Sequence, residues 1–337
     1  MANQKRFAGI RDVAGLAGVS IATVSRVINS PDSTSPKTRE KVLKAVQECG
    51  YIPNPTARSL LNDGISRTIA FFVPDISNPY YISLMRHLNR ITFDSGYNLI
   101  VCETEYSLKR EKQYYDYCKS IRACGIIYTV GTTRRNFELD SKTAIPLVLM
   151  DRSHFEDVFS YSIISDNIKA LQLLIDYLYR LNHRKIGFIG GDAYSLSGKE
   201  RYEGFCRAME KHSLRILKEY VIFSTFAEES GIDAFDYFYS LPDPPTAVIA
   251  SSDQMAQGFI MRANSLGVNI PNEFSICGID AVDSHFYPKI TSIRQNIELI
   301  AQMAFDYIRN ADKNPPPVNE IIDVSLSVGQ TCRKLLS

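Results

Sequence analysis

Near the N-terminus, residues that could contact another molecule lie at the spacing of a helix-turn-helix. Ala14, Gly18 and Val24 fit a small residue at a helix crossing, a glycine in the turn and a branched residue that anchors the second helix. That second helix would present outward Ser20, Ile21, Ala22, Ser25 and Arg26. Such side chains contact DNA phosphates and base edges in the major groove. The spacing therefore predicts a DNA interface, although helical hairpins without this role can match the same three positions.

The charge distribution singles out the same segment. Residues 1–66 hold nine Lys or Arg and five Asp or Glu, a local net charge of +4, whereas the whole chain carries +1. A basic segment on a mildly acidic body is typical of a chain in which one part binds a polyanion. A solvated surface with a chance excess of basic residues is the alternative, so the charge supports the motif without proving it.

The sequence carries none of the usual patterns for catalysis or metal binding. The segment from Gly191 to Glu200 lacks the spacing and the Ser or Thr of a phosphate loop, and the chain has no G-x-S-x-G or G-x-G-x-x-G. The five histidines show no metal-ligand spacing, and the seven cysteines include no C-x-x-C. We therefore expect no enzyme activity, no cofactor and no metal.

Length and composition place the motif in a folded chain of several domains. A chain of 337 residues, 45% hydrophobic and 22% charged, can form two or three domains with sizeable cores. The first fifty residues carry three apolar patterns at helical spacing, with Ser20 and Ser35-Pro36 as helix starts. Residues 51–65 contain prolines and Asn62-Asp63-Gly64, which predict a linker with one short helix.

From Thr68 onward, strand-like runs alternate with amphipathic helical stretches. The predicted strands are residues 69–73, 98–102, 125–128, 146–150, 185–189, 247–250 and 275–278, and a last run covers 321–328. The alternation predicts an α/β fold with doubly wound parallel sheets, which bind ligands beyond the carboxyl ends of their strands. This part of the chain is too long for one such sheet and suits two lobes with a cleft.

The chain resembles the lactose repressor/galactose repressor (LacI/GalR) family of bacterial transcription regulators over nearly its whole length. The segments that carry the resemblance are residues 12–29, 38–42, 50–60, 73–79, 252–256 and 291–295. The resemblance implies an all-α helix-turn-helix head and a hinge helix. It also implies a two-lobed core of the periplasmic-binding-protein type, with doubly wound parallel sheets.

The resemblance also implies the residues that contact operator DNA. In the head these are Ser20, Ile21, Ala22, Thr23, Ser25, Arg26 and Asn29. In the hinge, Ala57 and Leu60 stand three apart on one face of Thr56–Leu61, as a leucine wedge in the minor groove requires. Packing of Leu60 on the core is the alternative.

An effector site between the two lobes is a further implication of the resemblance. Its predicted ligand-binding residues are Tyr80, Tyr81, Asp151, Arg201, Phe226, Ser252, Asp280 and Gln295. Carboxylates that accept hydroxyl hydrogen bonds, a forked Arg donor and aromatic faces suit a polyhydroxylated ligand. Each residue also has an ordinary structural explanation, because an Asp after a strand often caps a helix and a Phe is usually part of a core.

Three positions depart from the common pattern of the family. Gly9 stands where a threonine usually caps the first helix, and Gly15 stands inside that helix where a charged residue is usual. Both should weaken the helix. Ser252-Asp253 stands where many sugar-responsive members have Asn-Asp, which weakens the assignment of a sugar effector.

Together these features predict an operator-binding repressor controlled by a sugar or sugar derivative. A nucleobase or a phosphoprotein corepressor could replace the sugar, and a sugar-binding receptor without DNA function is a further alternative. One helix-turn-helix contacts one half-site, so a pseudo-palindromic operator requires a homodimer. No leucine heptads follow residue 328, so a tetramer is not expected.

The expected domains are a head at 1–50, a hinge helix and linker at 51–65, and a core at 66–337. Within the core we expect an N-lobe at 66–163 and 294–325, and a C-lobe at 164–293 and 326–337. The N-terminus lacks the apolar stretch of a secretory signal, and no apolar run approaches the roughly 20 residues of a membrane span. We therefore expect a cytoplasmic protein.

Overall fold

The structure is a computed structural model that describes residues 8–51, 66–129, 145–150, 160–282, 286–311 and 319–336. The chain is divided into two compact units, one of residues 1–67 and one of residues 68–337. The first unit contains the head, and the second contains the α/β core. No helix among the described residues is both long and apolar enough to cross a membrane.

In the described part of the first unit, three helices form the head. They are α1 (Ile10–Ala17), α2 (Ile21–Asn29) and α3 (Pro36–Cys49). Ser20 Oγ accepts a hydrogen bond from the Thr23 N–H at 3.1 Å, so Ser20 caps α2 as predicted. Between α1 and α2, Gly18 adopts a left-handed φ of 63°, a conformation that favours glycine. The helices enclose a small core of Val13, Ala14, Val24, Val27, Val42 and Ala45.

The first turn of α1 has a capping interaction despite the glycine at its N-cap. The Asp12 carboxylate accepts a hydrogen bond from the Gly9 N–H at 2.7 Å, which satisfies one backbone donor at the helix start. Gly15 remains an exposed glycine inside the helix. The loss of α1 stability that the sequence predicts is therefore partly offset at the N-cap but not at Gly15.

Replacing Gly15 by Ala should stabilise the head by about 0.5–1 kcal/mol, because a Cβ at Gly15 meets no atom within 4 Å and glycine is a poor helix former. Slower amide exchange of the α1 and α2 residues would report this gain. Gly18→Ala is the matched control. Its Cβ also meets open space, but φ is +63°, so this variant should lose about 1 kcal/mol. Equal effects of the two variants would contradict the explanation.

The described strands of the core form two six-stranded sheets. The strands are β1 (Thr68–Val73), β2 (Asn98–Glu103), β3 (Gly125–Tyr128), β4 (Leu147–Met150), β5 (Ser160–Ser165), β6 (Ile186–Gly190), β7 (Val221–Phe223), β8 (Ala247–Ala250), β9 (Ser275–Asp280), β10 (Thr291–Gln295), β11 (Asn319–Ile322) and β12 (Val324–Ser327). The first sheet has the order β11-β5-β4-β3-β1-β2 and the second β12-β10-β9-β8-β6-β7. All neighbouring strands are parallel except β12, which runs antiparallel to β10.

Helices cover both faces of the parallel sheets. They are α4 (Pro79–Asp94), α5 (Leu108–Ser120), α6 (Asn167–Arg180), α7 (Leu196–Lys211), α8 (Glu228–Ser240), α9 (Asp253–Ser265) and α10 (Ile297–Arg309). Along β1, Phe71 packs in a cluster with Leu84 of α4, whereas Phe72 packs in a separate cluster with Tyr115 of α5. Strands covered on both faces must be apolar throughout, which explains the continuous apolar runs of the sequence.

The chain passes between the two sheets three times in the described residues. The crossings come after Ser165, after Gln295 and at Asp323. The lobe boundaries expected from the sequence, near residues 163, 293 and 325, stay predictions. The run 321–328, expected as one strand, is split by Asp323, whose carboxylate accepts a hydrogen bond from the Val324 N–H and pairs with Lys169. As a result β11 and β12 join different sheets.

Candidate functional site

Helix α2 exposes one face and buries the other. Val24 and Val27 are buried in the head core, so the opposite side of the helix faces outward. Ser20, Ile21, Ala22 and Arg26 are exposed, and Thr23 and Ser25 are half-buried. Asn29 ends the helix, but its side chain lies outside the described residues, as do Ala57 and Leu60 of the predicted hinge.

The exposed face of α2 combines small apolar side chains with one cation. Arg26 has no ion-pair partner within the described ranges, so its guanidinium can reach a phosphate or a guanine. Ile21 and Ala22 offer only apolar contacts, which suit thymine methyl groups. This face therefore has the chemistry of a recognition helix.

In the core, a pocket forms where the carboxyl ends of strands from both sheets meet. It is lined by Asn78, Tyr80, Tyr81, Tyr106, Ser197, Arg201, Phe226, Ser252, Asp280 and Gln295. Seven of the eight predicted ligand-binding residues are thus brought together, and Asp151 lies outside the described residues. The position agrees with the general rule for open α/β sheets.

Arg201 of α7 is held rigidly at this pocket. The side chain is buried, its Nε donates to Asn167 Oδ1 at 2.9 Å, and its Nη1 donates to the Ser251 carbonyl oxygen. The Phe226 ring lies 5.6 Å from the guanidinium carbon. A guanidinium has five N–H donors, and these two bonds orient it for a further acceptor.

Asp280 and Gln295 form a buried pair that reaches the first sheet. Gln295 Nε2 donates to Asp280 Oδ1 at 2.7 Å, and Ser165 Oγ, at the end of β5, donates to Gln295 Oε1. All three side chains are more than 90% buried. Asp280 belongs to the second sheet and Ser165 to the first, so this chain of hydrogen bonds links the lobes at the pocket.

Ser252 has a structural role in addition to lining the pocket. Its Oγ accepts a hydrogen bond from the Met255 N–H at 3.2 Å and donates to the Phe226 carbonyl oxygen at 3.2 Å. These bonds cap α9 and fix the segment that carries Phe226. The hydroxyl is therefore already engaged by the protein.

Sequence reasoning missed Asn78, Tyr106 and Ser197. Asn78 caps α4, since its Oδ1 accepts from the Tyr80 N–H at 2.9 Å. Ser197 stands four residues before Arg201, so helical spacing could have identified it. Tyr106 follows β2, and its pKa is raised by burial and by the carboxylates of Asp75 and Asp192. The rule that sites lie beyond strand ends could have identified Tyr106.

No cluster of three or more metal-ligating side chains occurs among the described residues. The pocket instead offers fixed donors, buried acceptors and aromatic surface. This set can bind a small polar molecule that has apolar faces and several hydrogen-bonding groups.

Comparisons with known proteins identify both units. Residues 9–54 match the family described as bacterial regulatory proteins, lacI family, and residues 175–332 match the periplasmic binding protein-like domain. The HTH-type transcriptional repressor CytR of Escherichia coli K12 is 30% identical over 294 residues, which cover 87% of this chain and 86% of CytR.

Two solved structures share the fold over nearly the whole chain. A lac repressor dimer bound to operator and an anti-inducer has a TM-score of 0.79 at 24% identity and covers 97% of this chain and 100% of its own. A complex of the transcriptional regulator CelR with cellobiose has a TM-score of 0.69 at 24% identity and covers 96% of this chain and 99% of its own. The sequence matches and the shared fold agree, and the chain belongs to the LacI/GalR family of ligand-responsive, DNA-binding transcriptional regulators.

Proposed function

We propose that this regulator is a homodimeric repressor whose affinity for a pseudo-palindromic operator is controlled by a carbohydrate or sugar derivative. The pocket between the two sheets is the observation that carries the proposal. Its polar groups are Arg201, Asp280 and Gln295, and Tyr80, Tyr81 and Phe226 supply aromatic surface. The resemblance of the whole chain to repressors supports the other parts of the proposal, which are repression, the homodimer and the pseudo-palindromic operator.

The donors and acceptors of the pocket suit hydroxyl groups. The Asp280 carboxylate accepts from a hydroxyl, the Arg201 guanidinium donates to one, and aromatic rings cover the apolar face of a pyranose. Asp151 is proposed as a further acceptor from the first lobe. A structure of the same fold holds cellobiose, which supports the ligand class.

A nucleobase is the second candidate. Three tyrosines and Phe226 line the pocket, and aromatic rings stack well on flat bases. The Ser252 hydroxyl, bonded within the protein, also contributes less to a sugar than the Asn of sugar-responsive members would.

A thermal-shift screen with sugars, sugar phosphates and purines separates the two candidates. A molecule that binds only the folded state raises the melting temperature by mass action, by about 2.7 kcal/mol of stability at a hundredfold excess over Kd. A shift with sugars alone supports the proposal. A shift with purines alone would replace the sugar by a nucleobase, and no shift with any compound would favour a phosphoprotein corepressor.

Operator choice should depend on the start of α2. Replacing Ala22 by Gln introduces a side chain that can form a paired hydrogen bond with adenine, which is worth about 1–3 kcal/mol of discrimination. We expect the variant to select a different consensus from a random duplex library. Lys109→Gln, on the core surface, is the control and should return the wild-type consensus. An unchanged consensus for Ala22→Gln would contradict the register that places Ala22 at the base edges.

A further inference from the structure

Strand β9 ends in an unusual backbone conformation at the effector pocket. Asp280, its last residue, has a φ of 132°, and the next residue, Ala281, has a φ of 43°. Residues other than glycine rarely adopt either value, and two in succession must be held in place by their surroundings. Such outliers are concentrated at ligand sites, where they aim a side chain.

Asp253 supplies the acceptor for the backbone at the turn. Its Oδ2 accepts a hydrogen bond from the Ala281 N–H at 2.9 Å, and its Oδ1 accepts from Ser292 Oγ at 2.6 Å. Ser292 Oγ also lies 3.2 Å from the Ala281 nitrogen. The Asp253 side chain thus joins the end of β9 to β10 through two charge-assisted hydrogen bonds.

Capping of its own helix does not account for Asp253. It is the first residue of α9, where an acidic side chain usually interacts with the helix dipole. Ser252 already caps the helix through the Met255 N–H, and the two Asp253 oxygens bond to residues outside it. The sequence also leaves room for this arrangement, because any Cβ at Gly278 would lie 2.0 Å from Asp253 Oδ1.

Asp253 does not line the effector pocket, but it is bonded to Ala281, which directly follows the pocket residue Asp280. It borders a neighbouring cavity of about 280 Å³ with Ala281, Lys289 and Arg294. Asp280, one residue before Ala281, accepts from Gln295, which in turn accepts from Ser165 of the first sheet. The position of the Asp280 carboxylate therefore depends on the turn that Asp253 holds.

We propose that Asp253 is a positioning residue of the effector site, which fixes the Ala281 N–H and thereby aims the Asp280 carboxylate at the effector. The proposal deepens the proposed function, because it takes Asp280 to be an effector contact. Asp253 itself does not touch the effector. Removal of the Asp253 carboxylate should both loosen the end of β9 and weaken effector binding.

The ionisation of Asp253 gives the proposal a specific signature. Burial raises the pKa of Asp253 to about 6, opposed by the hydrogen bonds from Ser292 and Ala281 and by the charges of Arg201 and Arg294. The other titratable groups around it are Cys277 and Asp280 on β9 and Lys289 at the neighbouring cavity. A protonated carboxyl is a weaker acceptor than a carboxylate. The NMR chemical shift of the Ala281 amide should therefore change between pH 7 and pH 5.

The first experiment follows the Ala281 amide by NMR in the full-length protein without any effector. In Asp253→Ala its hydrogen exchange should be about 10- to 100-fold faster, because the Ala281 N–H loses its side-chain acceptor. In Asp253→Asn it should stay near the wild-type rate, because the amide oxygen still accepts from Ala281 and the amide N–H can donate to Ser292. Ser292→Ala should give an intermediate rate, which keeps the test decisive if Asp253→Ala does not fold.

The pH profile separates positioning from a general loss of stability. The Ala281 resonance of the wild type should titrate with a midpoint near pH 6, and this titration should vanish in Asp253→Asn. Asp236→Ala, which removes an exposed carboxylate paired with Arg262, is the matched control and should keep the titration. An unchanged Ala281 exchange rate in both Asp253→Ala and Ser292→Ala, or a titration that persists in Asp253→Asn, would overturn the proposal.

Binding of cellobiose, D-ribose and hypoxanthine by the same variants connects the turn to the effector. For whichever probe binds the wild type, Asp253→Ala should weaken affinity about 10- to 100-fold, with Asp253→Asn near the wild-type value. Wild-type affinity in Asp253→Ala would overturn the role in effector binding. If only hypoxanthine binds, the sugar assignment fails while the positioning role is tested with hypoxanthine. If none of the three binds, the Ala281 exchange rates alone decide whether Asp253 holds the turn.

Discussion

Operator binding by the proposed dimer is expected to weaken about 10³-fold when salt rises from 50 to 200 mM, a log-log slope of about −5 or steeper. Each head exposes several cations, among them Arg26, Lys37, Arg39 and Lys41. Every phosphate they neutralise releases about 0.9 of a counterion, so six phosphate contacts per dimer account for the slope. Arg39 Nη1 lies 3.8 Å from Asp32 Oδ1, but this exposed ion pair is too weak to prevent Arg39 from contacting a phosphate.

Filter binding or fluorescence anisotropy over this salt range measures the slope directly. Arg26→Ala should reduce it by about 2 per dimer, because one phosphate contact is lost from each head. Lys109→Ala on the core surface is the control and should leave the slope unchanged. A slope near zero would contradict an electrostatic head, and equal slopes for wild type and Arg26→Ala would contradict a phosphate contact by Arg26.

The second large effect is expected at the effector pocket. Asp280→Ala should lower effector affinity about 10- to 100-fold, because a buried acceptor is lost and its partner donors on the ligand and on Gln295 are left unpaired. The head is unaltered, so operator affinity without effector should stay the same. Calorimetric titration with the compound found by thermal shift measures the change.

Two variants control for this substitution. Asp280→Asn keeps an oxygen for Gln295 Nε2 but removes the charge, so it should lie between wild type and Asp280→Ala. Asp243→Ala removes an exposed carboxylate that pairs with Lys185 on the second lobe and should bind effector like the wild type. Wild-type affinity in Asp280→Ala would contradict the placement of the effector at this pocket.

The parts of the fold that local sequence determines were predictable. The helices of the head and the cap at Ser20 follow from local spacing, and the central buried strands follow from apolar runs. Strand β5 was missed because Ser-Tyr-Ser-Ile-Ile-Ser mixes polar and apolar residues, and one of its two partners, β11, is distant in sequence. The split at Asp323 depends on Lys169, more than 150 residues away.

For the effector pocket, residue types could be predicted but their geometry could not. The family resemblance supplied Arg201, Asp280 and Gln295, and these lie together. The positive φ of Asp280 has no signature in the local sequence, and the acceptor for the Ala281 N–H is Asp253, which belongs to a different strand-helix unit. Tyr106 was missed for a similar reason, because it reaches the pocket from a loop whose conformation the sequence does not reveal.

The central claim is that a molecule bound between the lobes changes operator affinity. Because the pocket is lined from both sheets, a bound effector favours one relative orientation of the lobes, and binding at the two sites must be reciprocally coupled. The most direct test is an operator titration of wild type and Asp280→Ala over a range of effector concentrations. Wild-type operator affinity should change about 5- to 150-fold, or 1–3 kcal/mol, at saturating effector, and Asp280→Ala should need about 10- to 100-fold more effector for the same change. An operator affinity of the wild type that is identical with and without effector would contradict the account.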